Sequence, residues 1–295
     1  MQLSKLLNTD KPNMKYVWFM FLPILAVILI QYGVVIGDML ILFVKNLFSD
    51  RELPEGATVE YVLNSDYNQP MNLAYLTLVQ YLIYILVFGI WYYRAFCKEK
   101  AISDISSGLL YIKDKLLTIK TICLIVGGYF AQLFVDGILT LVEPYFTDLF
   151  ASYGKMVDTI TGVGSSWVML FAVIFVAPIG EELLFRGLIQ SYGLKNFAPG
   201  VAIFLQGLIF GLYHGNIIQG IYACLMGVIL GFVAYKLKSI IYPMVLHISI
   251  NASLLLVPEV LYDGTVKTAI TTAVTGVGFA VMIWLSMRKR DKLEK

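Results

Sequence analysis

Residues 167–192 read WVMLFAVIFVAPIGEELLFRGLIQSY, a run long enough to cross a bilayer that nonetheless carries Glu181, Glu182 and Arg186. A spanning helix needs about 20 predominantly apolar residues. A charge at its centre costs about 2.5–3.5 kcal/mol on insertion scales, so such residues persist where they line a polar site inside a bundle. The only two histidines of the chain, His214 and His247, fall in later apolar stretches.

Working outward, the whole chain has the same character. Of its 295 residues, 59% are hydrophobic and 14% charged, against about 25% charged in soluble domains. Apolar runs recur at approximately 16–44, 71–92, 116–142, 167–192, 200–214, 217–235, 240–257 and 269–287. The expected fold is all-α: a polytopic membrane helical bundle of about eight transmembrane helices. The fifth and seventh runs are short enough to be tilted, broken or shielded by neighbours.

Loop charges orient this bundle. Lys5, Lys11 and Lys15 precede the first run, and Arg94, Lys98, Lys100, Lys113, Lys115 and Lys120 follow the second. Lys236 and Lys238 follow the sixth, and Arg288 to Lys292 is mostly basic. The segments 46–70 and 143–158 are mostly acidic. By the positive-inside rule both termini are cytoplasmic. The first hydrophobic run is too long for a cleaved signal and lacks a small-residue cleavage site, so it reads as a retained helix. Cys97, Cys123 and Cys224 have no paired spacing. A net charge of +2 gives no reason to expect a nucleic-acid partner. The expected surroundings are a lipid bilayer, namely a bacterial cell membrane crossed several times.

Three regions follow. Residues 1–165 read as an N-terminal transmembrane scaffold of about three helices, with an amphipathic connection near 102–112 and a polar outer loop. Residues 166–258 hold every motif, and 259–295 form a last helix and a basic tail. Glycines recur every four residues at Gly207, Gly211 and Gly215, at Gly227 and Gly231, and at Gly33 and Gly37; that spacing lets helix backbones approach closely in lipid.

In the first motif, Glu182 and Arg186 are four apart and can pair along one helical face. Glu181 points about 100° away from Glu182 and is left free to face elsewhere. A buried salt bridge with a spare acid near water is the bland reading; an uncompensated second carboxylate favours function. In the second, Phe210 and His214 share a face, although a histidine near a span's end is often only interfacial. In the third, His247 and Asn251 share a face, and alone they would read as interhelical hydrogen-bonding glue. Asp38 and Asp136 fall toward the ends of their spans, where water or loop backbone would meet them. The many tyrosines and phenylalanines suit interface belts and lipid-facing surface.

Together, in the order EExxxR, FxxxH, HxxxN on successive apolar runs, with Gly187 directly after the arginine, the motifs resemble the CAAX protease and bacteriocin-processing (CPBP, or Abi) family of intramembrane proteases. The resemblance covers about 167–256. It implies that Glu181 is the base that activates water, with His214 orienting that water and moving protons. It implies that His247 and Asn251 stabilise the oxyanion, and that Glu182, Arg186 and Phe210 support the site. Donors preorganised toward an oxyanion are worth about 3–4 kcal/mol each. No serine or cysteine stands out as a nucleophile, so attack by water is expected.

Cofactor use stays open. Glu181, His214 and His247 could hold zinc with a water in the fourth place, and the family is often called metalloproteases. The compact HExxH of soluble zincins is missing, however, and the resemblance also carries a metal-free route, to which the reading leans. The substrate would be a prenylated tail, a bacteriocin or pheromone-like leader, or a membrane-anchored protein. Two rival readings remain: a non-proteolytic immunity or partner-scaffolding protein, and a proton-coupled transporter, which the lack of two similar inverted halves disfavours.

Overall fold

The computed structural model describes residues 13–47, 70–97, 118–161 and 166–288, and every regular element among them is helical. The expected amphipathic connection at 102–112 and most of the outer loop at 46–70 lie outside the described residues. The helices are α1 (Met14–Leu47), α2 (Pro70–Tyr92, continued by a π-turn at Tyr93–Cys97), α3 (Ile119–Val142) and α4 (Thr147–Thr161). They continue with α5 (Trp167–Gly193), α6 (Pro199–Tyr213), α7 (Ile217–Leu237), α8 (Ile241–Ser253) and α9 (Thr265–Met287).

Each apolar run read from the sequence coincides with a helix. Six of these (α1, α2, α3, α5, α7, α9) are long and apolar enough to cross a membrane, whereas α6 and α8 are shorter. The chain is an integral, multi-pass membrane protein. The ends follow local chemistry. Thr118 and Asn216 cap α3 and α7 by accepting the amide protons of Thr121 and Gln219. Pro199 opens α6, where its missing N–H is not needed. Gly215, at φ 68°, reverses the chain between α6 and α7.

One element was not read from the sequence. The α4 helix is only 15 residues long. It turns Tyr153, Met156, Val157 and Ile160 inward at the i, i+3, i+4, i+7 spacing of one face, and leaves Lys155 and Asp158 exposed.

The centre of the bundle is α5, with 72% of its spanning window buried, against 17–44% in the other long helices. On one side Leu183, Leu184, Phe185, Leu188 and Ile189 pack with Met20 and Val27 of α1 and with Tyr84 and Phe88 of α2. On the other side a second core joins α3, α7, α8 and α9 through Leu124, Leu230, Val233, Leu246 and Phe279.

The glycine reading holds for part of its list. A Cβ on Gly211 would lie 2.5 Å from the Gly220 carbonyl oxygen, and one on Gly227 would lie 2.9 Å from the Gly207 Cα. The backbones of α6 and α7 therefore touch. By contrast, Gly33 and Gly37 have nothing within 4 Å of a built Cβ, and neither has Gly215, whose role is its left-handed turn. Gly211→Ala is therefore expected to cost about 1–3 kcal/mol by overpacking against immobile backbone. Gly33→Ala should leave thermal unfolding in detergent unchanged. Equal melting of the two variants would contradict the backbone contact.

Candidate active site

Pro178 has no N–H to give to the carbonyl four residues earlier, and α5 widens into a π-turn at Ala172–Val176 just before it. In this register the Ala177 amide bonds to Ala172 O, so Val173 O loses its helical donor. Asn251 of α8 takes that place, its Nδ2 donating to Val173 O at 2.9 Å. The amide keeps a second N–H. A second π stretch, Leu183–Gln190, begins directly after the glutamate pair; such widened turns recur at functional sites.

The pair Glu182–Arg186 forms as expected, with Nη1 donating to Oε1 at 2.8 Å between fully buried side chains. Arg186 also donates from Nη2 to Gly227 O at 3.1 Å. Its guanidinium lies 4.6 Å from the Phe210 ring centroid. Phe210 in turn meets His214 and His247 edge-on, at 4.7 and 5.7 Å between centroids.

The two glutamates do not part company as read from the sequence. Glu182 Oε1 lies 2.9 Å from His247 Nδ1, and Glu181 Oε2 lies 3.7 Å from His247 Nε2. Adjacent helical side chains diverge, but here the imidazole of α8 fits between them, and each carboxylate reaches a different nitrogen. An ionised carboxylate only accepts, so Nδ1 carries the proton toward Glu182 and Nε2 faces Glu181. His214 is fixed similarly. Its Nδ1 donates to Phe210 O at 2.7 Å, which leaves Nε2 as an acceptor.

Glu181, His214, His247 and Asn251 line one cavity of about 210 Å³. Glu181 and His247 are buried, at 5% and 6% exposure. Residues read as scaffold complete the cavity: Tyr81 of α2, Gln132 and Val135 of α3, and the inward face of α4. Tyr81 is the neighbour of Glu181 that sequence reasoning missed. Its hydroxyl donates to Glu181 Oε1 at 2.8 Å and lies 3.4 Å from the Tyr213 hydroxyl. Tyr81→Phe is expected to lower kcat about tenfold with KM unchanged, the scale of one hydrogen bond to a charged group. A KM effect alone would instead assign Tyr81 to substrate binding.

A zinc ion would need donor atoms converging at about 2.0–2.2 Å from one point. Among the described residues no group of three or more His, Cys, Asp or Glu side chains is disposed to hold a metal ion. Nδ1 of each histidine is held by Phe210 O or Glu182, an arrangement that ligating imidazoles share and that leaves each Nε2 for the cavity. What is missing is the grouping: as placed, Glu181, His214 and His247 do not converge into a three-donor metal site.

Fold and cavity together define a helical, multi-pass membrane protein with an enclosed carboxylate–imidazole cluster. Residues 163–253 match the family model described as Type II CAAX prenyl endopeptidase Rce1-like. The match takes in α5 to α8, and the resemblance to the CAAX protease (CPBP) family is borne out over those residues. It supports a CAAX-type protease of membranes. No curated protein and no solved structure matches the chain.

Proposed function

We propose that this protein is an intramembrane endopeptidase that hydrolyses a peptide bond of a membrane-associated peptide or protein with water activated by Glu181 and His214. The observation that carries this reading is the shared cavity of Glu181, His214, His247 and Asn251. Glu181 Oε2 and His214 Nε2 are the acceptors left over once Tyr81 and Phe210 O have taken their partner atoms. A water between them would direct its hydrogens to both and turn a lone pair to the scissile carbonyl.

As that lone pair bonds to the carbonyl carbon, Glu181 takes a proton from the water. The carbonyl oxygen becomes an oxyanion facing the second N–H of Asn251, and His247 joins in as an imidazolium, keeping Nδ1–H on Glu182 and donating from Nε2. Collapse breaks the C–N bond, the proton held by Glu181 passes to the departing amine, and a carboxylic acid and an amine result. Glu182 holds the His247 Nδ1–H, orients the ring and favours its protonated form, as a carboxylate behind an imidazole does.

Mass spectrometry of membrane peptides from cells carrying wild type or Glu181→Ala tests this reading. Products that vanish with the variant identify the substrate and the bond. Identical peptide profiles, with a phenotype preserved by the variant, would favour a non-catalytic scaffold.

A further inference from the structure

Asp136 is a further carboxylate at membrane depth, and no step above uses it. It lies on α3 within the Ile119–Tyr145 span, roughly 14 Å along the axis from Tyr145 at 1.5 Å per residue. That is deeper than the span's end, and the side chain is half-buried. Gln132 Nε2, one turn earlier, donates to both carboxylate oxygens at 2.9 and 3.0 Å. An amide is neutral, and Asp136 makes no ion pair among the described residues. Nor does the pair join two helices, since both members sit on α3. A carboxylate left without a cation at this depth, binding nothing to anything, is a functional candidate by default.

Its surroundings say what it could receive. Gln132, Tyr153 and Tyr222 all line the cavity that holds Glu181, and the two tyrosine hydroxyls are 3.5 Å apart. With Gln219 they add polar groups to the lining besides the carboxylate–imidazole cluster and Asn251, and Val135, Met156 and Val157 in the same lining are apolar. Asp136 does not itself line the cavity; it stands behind Gln132, which does and which donates to both of its oxygens. Burial, and beyond it the charge of Asp136, push the Tyr153 hydroxyl up against the opposing bond from Tyr222. Tyr262, whose hydroxyl donates to Leu133 O at 2.8 Å, is pushed up to about 12 by burial and then by Asp136. An anionic centre behind tyrosine rings and hydroxyls, with apolar walls beside it, suits a cation on a flexible hydrocarbon stem.

We propose that Gln132, Tyr153 and Tyr222, backed by the carboxylate of Asp136, form a cation subsite that takes the lysine or arginine side chain of a peptide whose backbone lies at Glu181. The proposal rests on the endopeptidase reading and names its substrate class: membrane-associated peptides with a basic residue near the scissile bond. Gln132, Asp136 and Tyr153 precede residue 163, so this selectivity belongs to the part of the chain outside the matched segment.

The test uses the full-length protein in nanodiscs and dansylated, leucine-rich heptapeptides carrying one lysine, scanned along the peptide, against norleucine at the same position. At one position, lysine should raise kcat/KM of wild type about tenfold over norleucine, the scale of a charged hydrogen bond. Asp136→Asn should bring that ratio near one, and Asp136→Glu should restore it. A ratio equal in wild type and Asp136→Asn, or no preference in wild type, overturns the subsite. Binding to Glu181→Gln, followed by dansyl fluorescence, separates the two readings. A lysine preference in binding without cleavage by wild type upholds the subsite and sinks the endopeptidase; cleavage without preference does the reverse. Should Asp136→Asn fail to fold, a diazirine on the lysine side chain decides in wild type. Cross-linking to α3 or α4 supports the proposal, and cross-linking confined to other helices overturns it.

Discussion

Glu181→Gln is expected to lower kcat by about 10²–10⁴-fold, the usual contribution of a positioned general base, while the protein stays folded. Glutamine is nearly isosteric, and its carbonyl oxygen can still accept the Tyr81 hydroxyl that Glu181 Oε1 accepts at 2.8 Å. Glu181 is not the partner of Arg186, whose ion pair runs to Glu182. Its approach to His247 Nε2, at 3.7 Å, is too long to count as a hydrogen bond lost. What disappears is the proton acceptor. The comparison is single-turnover cleavage of one membrane peptide by purified wild type and variant, with melting in the same detergent as the folding control. Full turnover by the variant, once its mass excludes deamidation back to glutamate, would remove Glu181 from the mechanism.

Most of the candidate site was legible because charge in a hydrocarbon setting is conspicuous. Glu181, Glu182, Arg186, His214 and His247 stand out against apolar neighbours, and their i, i+4 spacings name the shared faces. Tyr81 could not stand out in the same way. It is one of 19 tyrosines, and nothing local marks the one whose hydroxyl meets a carboxylate 100 positions later. The role of α4 was hidden for a related reason. Its mixed charges resemble those of an outer loop, and its inward face gains meaning only against α7, where Tyr222 meets Tyr153. The convergence of both glutamates on one imidazole depends on where α8 comes to rest, which helical geometry within α5 cannot foretell. The glycines divide the same way: spacing marks Gly33 as clearly as Gly211, but of these two Gly211 alone has a partner backbone in contact.

Arg186→Ala is expected to be the most destabilising single change at the site, by about 3–5 kcal/mol, the cost of stripping one partner from a buried ion pair. Arg186 is 2% exposed and Glu182 0%. Without the guanidinium, Glu182 retains among the described residues only His247 as a partner, and Glu181 lies beside it. The loss goes beyond charge. One planar fork reaches Glu182 and the Gly227 carbonyl of α7 while it lies over Phe210, the ring that flanks both histidines. A lysine cannot satisfy all three contacts, because its ammonium is a point charge without a plane. Adding Glu182→Gln separates the two effects. Glutamine removes the orphaned charge yet can still accept from His247 Nδ1. The double variant should therefore be more stable than Arg186→Ala by about 1–3 kcal/mol, a coupling typical of contacting charged residues. It should fall short of wild type, because Gly227 O and Phe210 still lack their partner. Reversible unfolding in bicelles reads both differences. A double variant no more stable than Arg186→Ala would mean that the arginine acts through shape and the Gly227 bond rather than by balancing Glu182.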